Sequence, residues 1–139
     1  MMFWPIVDIL KQIYCFKDIM KKLKCHCGAV EAEINLTGNI EKIIKCNCSI
    51  CKRKGAVMSM VKNENFRITK GQEKLKLYQF HTKVAKHFFC INCGIYTHHN
   101  PRSNPTLTGF NLGCLEDFDT FQLKGVTVND GQNHPLDKK

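Results

Sequence analysis

The chain has 139 residues, 43% hydrophobic and 24% charged; this length suits one domain of roughly 100 to 150 residues, and the balance argues against both disorder and membrane residence. Its formal charge of +9 raises nucleic acid or an acidic membrane surface as a partner. The basic residues are spread along the chain instead of forming one long run, so nucleic acid is a minor hypothesis.

Residues 1–20 differ in character from the rest of the chain. They are mostly apolar, but Asp8, Lys11 and Lys17 interrupt them, leaving the run short of the roughly 20 apolar residues a membrane span needs. No basic residue precedes the apolar part and no Ala-x-Ala-like site ends it, so it does not read as a signal peptide. Ile6, Leu10 and Ile13 share one face of a short helix starting after Pro5. Residues 1–21 are therefore expected as an N-terminal extension ahead of a domain spanning 22–139. A translation start at Met20, just before Lys21 and Lys22, is the alternative, because extensions ahead of a self-contained domain are common.

From Lys24 the pattern turns to short strands. Val30, Ala32, Ile34 and Leu36 alternate with Glu31, Glu33 and Asn35, the period-2 signature of a half-buried strand. After a turn at 37–39, residues 40–46 resume as a strand, and residues 52–55 form a short helical turn or loop. Residues 56–61 are apolar except for Ser59, as in a strand buried on both faces. Further strands are expected at 66–69, 75–80, 86–89, 106–112 and 120–124, and the tail from Asn129 reads as a loop. This spacing of strands and turn residues predicts a mainly β domain of short antiparallel strands.

Nine cysteines allow either a secreted disulfide framework or a reduced metal protein. Their spacing decides: Cys25-x-Cys27, Cys46-x-Cys48-x-x-Cys51 and Cys90-x-x-Cys93 crowd sulfurs into local groups, which suits a metal and a reducing compartment, the cytoplasm. Residues i and i+2 of an extended chain point to one side, so Cys25 and Cys27 can share an ion with Cys90 and Cys93, whose spacing forms a knuckle relieved by Gly94. Two redox pairs or buried free thiols are the alternative there. The triplet Cys46, Cys48 and Cys51 offers three thiolates, so a tetrahedral zinc ion keeps one position for water, a histidine or an incoming thiol; a second structural zinc with another fourth ligand is the competing reading. Seven thiolates add seven negative charges and two Zn²⁺ ions return four, lowering the formal +9 to +6. Lys52, Arg53 and Lys54 come directly after the triplet, and Lys52 and Arg53 are candidates to receive the carboxylates of an anionic thiol, with a solvated surface run as the bland reading. Cys15 and Cys114 read as small apolar residues. His98 and His99 read as surface or core histidines before substrate contacts.

Several blocks resemble one family. Cys25-His26-Cys27-Gly28, the run from Cys46 through Gly55 and Lys86-His87-Phe88-Phe89-Cys90-Ile91-Asn92-Cys93-Gly94 look like the glutathione-dependent formaldehyde-activating enzyme family, which also includes centromere protein V. Arg102-Ser103-Asn104-Pro105, Gly113-Cys114-Leu115-Glu116 and Asp130-Gly131-Gln132-Asn133-His134-Pro135 resemble its later blocks. The resemblance covers about residues 22–137. It implies a zinc-centred β-tent, a structural zinc held by Cys25, Cys27, Cys90 and Cys93, and a catalytic zinc held by Cys46, Cys48 and Cys51. It also implies a carbon–sulfur lyase that condenses glutathione with formaldehyde to S-(hydroxymethyl)glutathione. A shared site does not fix the substrate, so the competing expectation is a non-catalytic zinc-stabilised module binding a protein or nucleic acid.

Overall fold

Alternation of apolar and polar residues builds the first sheet. In the computed structural model, which describes residues 18–40 and 42–135, β1 (Asp18–Lys24) pairs antiparallel with β2 (Glu31–Thr37) from Asp18↔Thr37 to Lys24↔Glu31. On β2 every second residue, Ala32, Ile34 and Leu36, is buried, as the period-2 pattern predicts. β5 (Phe66–Lys70) completes a three-stranded sheet on the other side of β2. The helix expected around Ile6, Leu10 and Ile13 lies outside the described residues, as does Cys15. β1 starts at Asp18, ahead of the expected domain start at residue 22.

The second sheet has seven strands. These are β3 (Ile44–Cys46), β4 (Met58–Lys62), β6 (Leu75–Tyr78), β7 (Lys86–Cys90), β8 (Tyr96–Asn100), β9 (Leu107–Asn111) and β10 (Thr127–Asn129). They lie in the order β10-β3-β4-β9-β8-β7-β6. All neighbours run antiparallel except β10 and β3, which are parallel. One short helix, α1 (Ser49–Lys54), connects β3 to β4. The protein is thus mainly β.

The main core lies where the two sheets meet. Leu23, Ala32, Ile34 and Leu36 from the small sheet pack with Phe110, Leu112, Cys114 and Leu115, and a single bridge joins Leu23 to Leu115. Burial of each large aliphatic side chain contributes about 1.5–3 kcal/mol. Cys114, buried here, behaves as the small apolar residue expected.

Three strand expectations change. Among the described residues of the expected 40–46 strand, only Ile44–Cys46 pair. Residues 120–124 are not a strand: Thr120–Gln122 forms a 3-10 turn whose cap, Asp119, accepts a hydrogen bond from the Phe121 N–H at 3.0 Å. A local side-chain bond of this kind competes with a sheet ladder, and Phe121 is left 95% exposed. The strand instead forms at Thr127–Asn129, running into the first residue of the expected C-terminal loop. β4 is also less buried than expected, because only Met58 and Ser59 are fully covered; Met60 faces a cavity.

Candidate metal centres

Four cysteines meet where the sheets join. Cys25 and Cys27 lie just beyond β1, Cys90 ends β7, and Cys93 closes the turn after it, held by hydrogen bonds from Gly94 N–H to Cys90 O (2.8 Å) and from Cys90 N–H to Ile95 O (3.0 Å). The four sulfurs all lie within 4.8 Å of one another. Cys27 Sγ is 3.7 Å from both Cys25 Sγ and Cys90 Sγ. A tetrahedron of sulfurs about 2.3 Å from a zinc ion has an edge of about 3.8 Å, so the spacing fits a metal and is far too long for S–S bonds. The Val30 N–H donates to Cys25 Sγ at 3.3 Å. Burial pushes the Cys93 thiol up, but hydrogen bonds from the Cys27 and Ile95 N–H groups and from neighbouring thiols bring it down to about 6, favouring a thiolate ligand.

The second group is built around α1. Cys46 is the last residue of β3, Cys48 is the N-cap of α1, and Cys51 lies one turn into it. Cys48 Sγ accepts the Cys51 N–H at 3.4 Å, and the helix closes at Gly55, whose N–H donates to Cys51 O at 3.0 Å. These three sulfurs also lie within 4.8 Å of one another, and among the described residues no histidine or carboxylate joins them. A hydrogen bond from the Cys51 side chain holds Cys48 down at about 5 against the opposing effect of burial, and the same bond pushes Cys51 far up.

A cavity of about 750 Å³ opens over this triplet, lined by Cys46, Cys48, Cys51, Lys54, His87 and His99 among others. His87 and His99 are directly opposed across β7 and β8, with ring centroids 5.7 Å apart. A register shift between Phe88 and Phe89 acts as a β-bulge, which re-aims side chains. It brings Tyr96 beside both histidines, its hydroxyl 3.3 Å from His87 Nδ1. Burial holds His87 down to about 4 and His99 to about 3, with the Lys54 charge adding to both, so both are neutral at pH 7. His99 Nδ1 is buried with no hydrogen-bond partner. The loop after β10 also lines the cavity and is tied to Asn47, which donates to Asp130 Oδ1 at 3.2 Å and accepts the Gln132 N–H at 3.0 Å.

The match that decides the family spans residues 20–127, and it is to the model for the glutathione-dependent formaldehyde-activating enzyme. The chain belongs to this family. A crystal structure of a Rhodobacter sphaeroides protein, 44% identical, superposes with a TM-score of 0.75 over 78% of this chain and 99% of that one. A Fusarium vanettenii protein provisionally named for the same formaldehyde-activating enzyme is 30% identical over 79 residues, 54% of this chain and 42% of its own length. A Phaeosphaeria nodorum protein, provisionally named likewise, is 31% identical over 98 residues, 66% of this chain and 50% of its own. The chain thus spans about half or less of the length of these curated relatives.

Within this formaldehyde-activating family, the sequence-predicted cysteines fall into the two groups expected. Lys52 and Arg53 do not line the cavity; both are exposed, and Arg53 donates to Ser49 O at 2.6 Å. Lys54 is the member of that basic run that lines the cavity with the triplet, because α1 places it three residues, about one turn, after Cys51. His98 belongs to the core: its ring stacks on Phe88 (4.5 Å) and packs against Phe66 (4.6 Å). Sequence reasoning does not single out His87 and Tyr96, because their roles depend on cross-strand register and on a bulge. Neither leaves a signal in sequence.

Proposed function

We propose that the protein is a zinc-dependent carbon–sulfur lyase-type enzyme that adds glutathione, or a related thiol, reversibly to formaldehyde or a similar aldehyde. The observation that carries this reading is a three-sulfur centre with no fourth protein ligand among the described residues, facing a cavity of about 750 Å³. Cys46, Cys48 and Cys51 would hold the zinc, and the closed set Cys25, Cys27, Cys90 and Cys93 a second, structural ion. Zinc at such a centre supplies acidification of a bound thiol at neutral pH.

In the reaction the thiolate sulfur attacks the carbonyl carbon, a C–S bond forms, and the π pair moves to oxygen. That oxygen takes up the proton the thiol gave to solvent, so the addition involves no net redox change. His99, which lines the cavity, is the partner we assign to that oxygen. Being neutral, it serves as a hydrogen-bonding group and not as a charged acid. A tripeptide's carboxylate would meet Arg102 in the lining. All eight described cysteines are unbridged, which favours a reducing compartment such as the cytoplasm. No described helix is long and apolar enough to cross a membrane.

Exchange NMR with glutathione and formaldehyde tests the reading. Wild-type protein should accelerate interconversion of free glutathione and its hydroxymethyl adduct, and Cys48→Ser should not. Equal exchange with both proteins would overturn it.

A further inference from the structure

Lys54 has an unusual electrostatic position. Its Nζ is buried, makes no hydrogen bond with normal geometry, and lies 3.4 Å from the centroid of the Tyr96 ring. None of the ion pairs among the described residues includes it. Lys54 lies three residues after Cys51 in α1 and lines the same cavity as Cys46, Cys48 and Cys51. An ammonium taken out of water is costly unless an anion or a ring face compensates it. Here the Tyr96 ring supplies one part, and the triplet supplies the anionic part. Lys52 and Arg53, its neighbours in sequence, are exposed.

This placement bears on the charge balance at the triplet. Three thiolates around a dication leave one excess negative charge, and an incoming thiolate would raise that to two in a partly desolvated cavity. A fixed cation on the cavity wall offsets the added charge and does nothing for a neutral ligand.

We propose that Lys54, seated on Tyr96, is the specificity-determining cation of the three-cysteine centre, making its fourth position select an anionic thiolate over neutral ligands. This rests on the thiol-activating function proposed for the centre. Lys54 needs no contact with the reacting carbon for this role. It acts by charge on whichever ligand occupies the fourth position.

The test uses the full chain loaded with Co²⁺, whose visible and sulfur-to-metal absorption bands report a change in ligation without any turnover. Wild type, Lys54→Met and Lys54→Arg are each titrated with glutathione and, separately, with imidazole as the neutral ligand. The expected result is that Lys54→Met weakens glutathione binding by about tenfold or more and changes imidazole binding by less than about twofold, while Lys54→Arg retains glutathione binding. Equal weakening of both ligands, or no weakening of either, overturns the proposal and leaves the thiol-activating function standing. Failure of wild-type protein to bind glutathione overturns both. Should Lys54→Met not fold, Lys54→Gln carries the same comparison, because it removes the charge and keeps a polar head.

Discussion

Gly131 sits against Cys46 so closely that a Cβ placed on it would collide with the Cys46 sulfur and come within 2.7 Å of Cys48 Cβ. The loop after β10 thereby fixes two of the three cysteines by steric contact, and Asn47 locks it in place through its bonds to Asp130 and Gln132. Gly131→Ala should shift the triplet and lower the thiol–aldehyde exchange rate by about 100-fold, as misplacement by about 1 Å can do. Thermal unfolding should move little, because the loop is outside the main core. An unchanged exchange rate would show that the contact does not position the sulfurs.

The two cysteine groups should fail differently. Cys90 is buried and its group joins the sheets, whereas the triplet is half-buried and borders a cavity. Because metal-binding free energy is also folding free energy at a structural site, Cys90→Ser should destabilise by several kcal/mol, about 3 or more, or prevent folding. Cys48→Ser should leave the far-UV circular dichroism intact and abolish exchange. Denaturant unfolding of the two variants side by side checks this.

Acid sensitivity should come in part from His98. Burial holds its pKa down to about 4 against an ordinary 6.5, so between those values the unfolded chain binds a proton that the folded one does not. Stability is therefore present above about pH 6.5 and is lost as pH falls toward 4, by up to about 1.4 kcal/mol per pH unit for this group. His98→Phe, which keeps an aromatic ring between Phe66 and Phe88 and gives up the 2.8 Å contact with Thr97 Oγ1, should reduce the slope by about that amount. Equal slopes for the two proteins, from denaturant titrations at pH 5 and 7, would contradict the assignment.

His99 gives a kinetic prediction. Gly109 leaves room for its ring, since a Cβ there would stand 2.8 Å from His99 Nδ1. His99→Phe should lower turnover by about 100-fold and leave the thiol KM within about threefold, because the residue is assigned to the aldehyde oxygen and not to the thiol. A change confined to KM would move it to the thiol side.

Much of this arrangement is legible in sequence, for identifiable reasons. The β2 alternation and the cysteine spacings are local, so periodicity and spacing suffice for Ala32, Ile34 and Leu36 and for the membership of both sulfur groups. β1 is hidden by its lysines: only Leu23 is fully buried on it. β8 is hidden by polar composition, Tyr-Thr-His-His-Asn, although three of its five residues are buried by neighbouring strands. At the site, the basic run is visible but the choice among Lys52, Arg53 and Lys54 requires the helix. His87, His99 and Gly131 come from distant strands and a loop, so only pairing across the sheet brings them to the triplet.

Metal content tests the central claim most directly, namely that the chain carries one closed and one open zinc centre. Mass spectrometry under native conditions, on protein purified under reducing conditions, should find two zinc ions per wild-type chain and one in a folded Cys48→Ser variant. Fewer than two in wild type, or two retained in the variant, would contradict it.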